Sequence, residues 1–179
     1  MKLKHVMLDL ETLGTRADSV IMSVGAVKFD PNTDVISSEG FYASVSVDSN
    51  LQAGRQVSED TLIWWLQQSQ AAQKVFHEAK VPLAIALDDL STWFDHGDYQ
   101  IWSNGADFDV PMLAHAFDTH GVKAPWKFWN SRCFRTMKNL PCAKRALKVE
   151  NRLKHNALDD AITQAQQLQE IYKVMKEAA

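Results

Sequence analysis

The sequence predicts an α/β fold, a mixed sheet with helices packed on it, and three observations point to it. Three strand-like stretches lie close together near the N-terminus with short connections between them. A helix–strand–helix order follows. The chain closes on a long segment whose apolar residues recur at helical spacing.

The elements follow in order. LKHVMLDLE (3–11) is a first strand, with oily residues alternating against Asp9 and Glu11. SVIMSVGAVKFD (19–30) is a second, rich in Val and Ile, and PNTD (31–34) supplies turn chemistry after it. VISSEGFYASVSV (35–47) is a third strand, distorted near Gly40. Short links make an antiparallel meander of these three. SEDTLIWWLQQ (58–68) opens a helix with an N-cap signal at Ser58 and acids in its first turn. PLAIALDDLSTWFD (82–95) is an amphipathic helix opened by Pro82. YQIWSNG (99–105) is a short strand ending in a turn, and DVPMLAHAFDTHG (109–121) a helix closed by Gly121. The last helix begins at Asn156, with Leu158, Ala161, Ile162, Ala165, Leu168 and Tyr172 on one face. No repeat or low-complexity linker divides the chain, so 1–179 reads as one domain.

Composition narrows the function classes. At 46% hydrophobic and 23% charged over 179 residues, the chain can bury a core, which argues against disorder. No apolar run approaches the roughly 20 residues of a membrane span, and the N-terminus lacks a signal peptide, so the expected location is the cytoplasm. Cys133 and Cys142 form neither a CxxC pair nor a disulfide framework. Charge is unevenly spread. Residues 132–154 hold eight basic residues against the single acid Glu150, a net +7, so the remainder carries −10 of the overall −3. A basic segment in an acidic chain suits a polyanion, although a solvated loop has the same composition.

The acids carry the chemistry. Residues i and i+2 of a strand share a face, so Asp9 and Glu11 project together while Leu8 and Leu10 point into the core. Adjacent carboxylates repel and raise each other's pKa unless a cation lies between them. Hard divalent ions such as Mg²⁺ take oxygen ligands of this kind. One such pair is common on surface strands. Here two further acidic groups join it: Asp107 and Asp109 in NGADFD (104–109), and His155, Asp159 and Asp160 in HNALDDA (155–161). Either group taken singly can be a helix-start acid answering the helix dipole.

Taken together, DLET (9–12), NGADFD and HNALDD resemble, in order and spacing, the three motifs of the DEDDh 3′–5′ exonucleases. The likeness covers nearly the whole chain and is greatest to the RNase T-like and phage-type branch, with DTLIWWLQQSQAA as further support. It implies an RNase H-like mixed five-stranded sheet flanked by helices, with WKFWNSRCF (126–134) as the only candidate for the fifth strand. The resemblance also implies a metal-dependent 3′–5′ exonuclease acting on single-stranded DNA or RNA 3′ ends. Two divalent metal ions, Mg²⁺ or Mn²⁺, would be held by Asp9, Glu11, Asp109 and Asp160, with His155 as general base. Asp107 competes with Asp109, and Asp159 with Asp160. The family spacing favours Asp160, which puts His155 on a loop or frayed start rather than on a regular turn.

Substrate contacts are expected from Thr12, Leu13 and Gly14 after the first strand, from Asn104, and from Arg135 as a phosphate contact. Trp64 and Trp65 stand about 100° apart on a helix, so one belongs to the core and the other to a cleft. Trp65 is carried as the cleft residue. Trp126, Phe128 and Trp129 read as packing, with a stacking platform as the alternative. The likeness also allows a homodimer, with the last helix as its surface. Two competing functions are a noncatalytic nucleic-acid-binding module that kept the fold and a trimmer of very short oligonucleotides.

Overall fold

A computed structural model describes residues 3–150 and 155–177. Strands β1 (His5–Thr12), β2 (Ile21–Phe29), β3 (Phe41–Ser44), β4 (Gln100–Ser103) and β5 (Ser131–Cys133) form one sheet in the order β3-β2-β1-β4-β5. β1 pairs antiparallel with β2, and β2 with β3. β4 lies parallel to β1 and β5 parallel to β4, so the sheet is mixed, as expected of the RNase H-like arrangement.

β1 is central and is covered on both faces, which explains its nearly continuous apolar character. Val6, Leu8 and Leu10 pack into a core with Leu83, Leu87 and Leu90 of α3 (Leu83–Trp93) and Leu113 and Phe117 of α4 (Asp109–Thr119). Met7 points the other way, against Ala161, Ala165 and Leu168 of α6 (Ala157–Glu177). The face that carries Asp9 and Glu11 is therefore the one α6 covers.

α6 lies unusually close to the sheet. A Cβ added at Gly25 would overlap backbone atoms of Ala157 and Leu158, so only glycine lets the helix start seat there. Gly121, at φ +66°, closes α4 as expected, its N–H donating to the Asp118 carbonyl at 3.0 Å.

The third strand is shorter than the sequence suggested. The strand ends at Ser44, although the Val45 N–H still donates to the Met22 carbonyl at 2.7 Å, and Ser46 caps a short helix, α1 (Val47–Gln52), by accepting the Ser49 N–H. Asn50 of α1, fully buried, accepts the Ile21 N–H and donates to the Ile21 carbonyl, both at 3.0 Å, which ties α1 to the start of β2. α2 (Glu59–Leu66) starts after Ser58 as expected, but the Ser58 side chain makes no capping bond; its N–H donates to the Leu13 carbonyl at 2.7 Å. Pro82 precedes α3 at the cap position. A short helix, α5 (Phe134–Lys138), follows β5 directly. Among the described residues no helix is long and apolar enough to cross a membrane, and both cysteines are free.

Candidate active site

Two chain segments meet under the start of α6. On β1, Asp9 and Glu11 face it side by side, and Glu11 is only 7% exposed. Their partners across β2 are Gly25 and Ser23, so the close approach permitted by Gly25 brings α6 directly over Asp9. Asn156 caps that helix, its Oδ1 accepting the N–H groups of Leu158 at 3.2 Å and Asp159 at 3.1 Å. Capping fixes the helix phase and sends Asp160 toward the sheet. Ligand oxygens of Asp9, Glu11 and Asp160 lie within 4.8 Å of one another. Asp159 is not in this group; its carbonyl accepts the Thr163 hydroxyl.

His155 stands ahead of the helix in a turn at φ +64°, a left-handed conformation uncommon for a residue with a side chain. Its N–H donates to Asp160 Oδ2 at 2.9 Å, and its ring meets the Trp64 ring edge-on with centroids 5.2 Å apart.

Asp109 begins α4 and is 3% exposed; its Oδ1 accepts the Leu10 N–H at 3.1 Å, which locks it to β1 between Asp9 and Glu11 in sequence. Asp107 is exposed, lies beside Gly105 and is not among the clustered carboxylates, although its charge reaches Asp109. Of the two pairs left open by sequence, the structure brings Asp160 and Asp109 to the carboxylates of β1 and leaves Asp159 and Asp107 outside.

Such a cluster is electrostatically costly without a counter-ion. Burial, with Asp160 and Asp109 adding like charge, pushes Glu11 up to about 8. Burial likewise raises Asp9 well above the carboxylate range, reinforced by Asp109, Glu11 and Asp160. Asp109 is pushed up to about 7 by burial, against the lowering effect of the Leu10 N–H. Among the described residues no ion pair involves Asp9, Glu11 or Asp109. An all-oxygen, multiply anionic donor set fits hard divalent cations.

A cavity of about 400 Å³ opens beside Glu11, lined by Thr12, Gly14, Trp64, Trp65 and Phe108 among others. Both tryptophans line it, Trp65 as the sequence choice has it, but they differ in exposure. Trp65 is 1% exposed, packs with Leu13, Val20, Met22 and Val75, and donates its Nε1–H to the Thr12 carbonyl at 2.9 Å. Buried this deeply, it has little ring face free for stacking. Trp64, 41% exposed, is the ring open to the cavity. Leu13 is a correction: it is 4% exposed in that same cluster and cannot wedge between bases. A register shift between Glu11 and Thr12 breaks the alternation that would have kept Leu13 on the carboxylate face. Thr12 and Gly14 do line the cavity; the Thr12 hydroxyl donates to the Gly14 carbonyl at 2.7 Å. A side chain at Gly14 would strike Ser19. Phe108, within NGADFD, is given no role by the sequence alone. Its position at the cap of α4 turns its ring to the cavity.

On the far side of Asp109, Arg135 of α5 donates from Nη2 to the Asn104 carbonyl at 2.6 Å, and Asn104 Oδ1 is buried with no hydrogen-bond partner among the described residues. Arg135 is exposed and lowers the Asp109 pKa, so its charge reaches the site. Two basic residues of the same segment, Arg152 and Lys154, lie outside the described residues. Trp126 packs in the core, whereas Phe128 and Trp129 are 81% and 60% exposed, against the packing expected for them.

Two comparisons with known proteins bear on the family of the chain. A protein of Enterobacteria phage T4 named Exodeoxyribonuclease is 26% identical over 159 residues, covering 72% of this chain and 68% of its own length. A family model described as 3′-5′ exoribonuclease Rv2179c-like domain matches residues 4–172. With that match running from before β1 to the last turns of α6, the chain belongs to the Rv2179c-like 3′–5′ exoribonuclease domain family and is a 3′–5′ exonuclease domain.

Proposed function

We propose that this chain is a metal-dependent exonuclease that removes nucleoside 5′-monophosphates from the 3′ end of single-stranded nucleic acid, with 1–179 acting as one catalytic domain. The observation that carries this reading is the convergence of Asp9, Glu11 and Asp160 within 4.8 Å, backed by Asp109, at the edge of an apolar cavity.

Asp9, Glu11, Asp109 and Asp160 would hold two divalent cations, Mg²⁺ or Mn²⁺. When bound, such ions supply charge stabilisation at the phosphate and at the attacking and leaving oxygens. The chain's own groups do the rest. His155 accepts the proton of the attacking water. Its backbone is held by the N–H bond to Asp160 and its ring is fixed against Trp64, so the imidazole is placed before substrate arrives. Trp64 and Phe108 present aromatic surface for the terminal base, where stacking contributes about 1–3 kcal/mol. Thr12 and Gly14 line the same cavity and set its width. Arg135 and Asn104 face the phosphate backbone upstream of the scissile bond. The carboxylates repel free polyanion, so substrate binding depends on the cations.

The two likenesses differ in sugar: the family model is described as an exoribonuclease and the phage T4 protein as an exodeoxyribonuclease. Matched 5′-labelled DNA and RNA oligonucleotides, from dimers to 20-mers, incubated with Mg²⁺ or Mn²⁺ decide among the readings. A ladder shortening from the 3′ end is expected, and the faster ladder names the sugar. Cleavage confined to dimers through pentamers would make the chain a short-oligonucleotide trimmer. Binding with no cleavage under either cation would make it a noncatalytic module. We place the chain in the cytoplasm, of a bacterial host cell if it is phage-encoded. A homodimer belongs to the same proposal, but α6 buries its apolar face on the sheet, whereas Leu62, Ile63 and Leu66 of α2 are exposed. Light scattering on the purified protein tests it.

A further inference from the structure

Gln164 is absorbed by none of the roles above. It lies one helical turn beyond Asp160 on α6 and so shares its face. Its Nε2 donates to Asp9 Oδ1 at 2.7 Å, a contact between residues 155 positions apart. Its Oε1 is buried and has no hydrogen-bond partner among the described residues. A solvated glutamine would satisfy both ends of its amide, so a half-satisfied one inside a protein marks a constraint imposed by a neighbour. That neighbour is Asp9. An ionised carboxylate only accepts, so the NH₂ end must face it, and the carbonyl is left to whatever the interior offers.

We infer that Gln164 is a positioning residue for Asp9, holding one carboxylate oxygen so that the other is presented to the cation cluster. The inference rests on the reading of Asp9 as a metal ligand. Three features support it. The bond is short and joins a helix to the central strand, so it fixes the Asp9 side-chain torsion rather than following it. Ligand oxygens of Asp9, Glu11 and Asp160 lie within 4.8 Å of one another, so a bond to Asp9 Oδ1 bears directly on that cluster. Beside Gln164, a cavity of about 350 Å³ lined by Phe134, Lys138, Ala143, Ala146, Lys148 and Val149 among others has no carboxylate among its lining residues that could compete for the amide. Outer-layer hydrogen bonds of this kind orient metal ligands, and losing one weakens metal affinity by about 10- to 100-fold.

The test is Mn²⁺ affinity by calorimetry, without substrate, on wild type, Gln164→Met and Asp9→Asn. Methionine matches the length of glutamine and suits a helix but cannot donate. The expected result is Mn²⁺ binding about 10- to 100-fold weaker in Gln164→Met, with the far-UV circular dichroism of wild type. Should Gln164→Met fail to fold, Gln164→Asn, which keeps the amide but is one methylene too short to reach Asp9, carries the same expected loss. A role in packing alone would lower the melting temperature and leave Mn²⁺ affinity unchanged. Unchanged affinity in the Gln164 variants, with weakened affinity in Asp9→Asn, overturns this assignment alone. Unchanged affinity in Asp9→Asn overturns the metal reading and this one with it.

Discussion

Leu10 and Asp109, 99 positions apart in the chain, are joined by a bond from the Leu10 backbone N–H to Asp109 Oδ1. The donor sits between Asp9 and Glu11, so the middle motif is anchored on the strand that carries the first two acids. Asp109→Asn is expected to cut exonuclease rate by about 100-fold or more, the usual cost of losing a group that steadies developing charge. Asp107→Asn, at an exposed position, should stay within about threefold of wild type. Single-turnover rates on a 5′-labelled oligonucleotide check both, and equal losses would contradict the assignment.

Proton and cation compete for the same carboxylates. Glu11, at about 8, and Asp109, at about 7, lie above their ordinary values of 4.5 and 3.8. Each therefore favours the folded state fully below its unfolded pKa and loses that contribution as pH rises through the folded value. In chelator, the melting temperature should fall as pH rises from 5 to 9, because both groups lose a proton that the folded state binds more tightly than the unfolded one. Mn²⁺ should restore more of it at pH 8.5 than at pH 5.5. Differential scanning fluorimetry reads this directly; a melting temperature indifferent to both pH and cation would remove the cluster from the explanation.

The two adjacent tryptophans should fail in different ways. Trp64→Ala is expected to raise KM for oligonucleotides by about 10- to 100-fold, the equivalent of the 1–3 kcal/mol of a lost base stack, with little change in melting temperature. Trp65→Ala empties a core position and leaves the Thr12 carbonyl without its donor, so about 3–5 kcal/mol of stability should go. Steady-state kinetics paired with urea unfolding separates the two.

Gly25→Ala tests how α6 is seated. The new methyl would occupy the space of the Ala157 and Leu158 backbone, so the helix start must lift from the sheet. A destabilisation of about 3 kcal/mol or more is expected, at the upper end of overpacking. Activity should fall further than stability alone explains, because Asp160 moves away from Asp9 and Glu11. Melting temperature and rate measured on the same preparation check this.

Much of this arrangement was legible in the residues. The i, i+2 spacing of Asp9 and Glu11 puts them on one face whatever the rest of the fold does, and the periodicity of the last helix shows which side of it meets the sheet. Other features depend on tertiary context. A helical wheel separates Trp64 from Trp65 by an angle but does not say which angle points inward. Leu13 follows a register shift that strict alternation cannot foresee. β5 is three residues long at a sheet edge and has no pattern of its own. The VSV of 45–47 reads as strand by propensity, yet Ser46 turns it into a helix cap. Gln164 matches no motif, because its meaning comes only from lying above Asp9.

The most direct test is anomalous diffraction from crystals grown or soaked in Mn²⁺. The expected result is anomalous density among the carboxylates of Asp9, Glu11 and Asp160, at the roughly 2 Å separations of hard cations from oxygen, and its loss in Asp160→Asn. Crystals that bind Mn²⁺ elsewhere and show none among these three residues would contradict the assignment of a metal-dependent site.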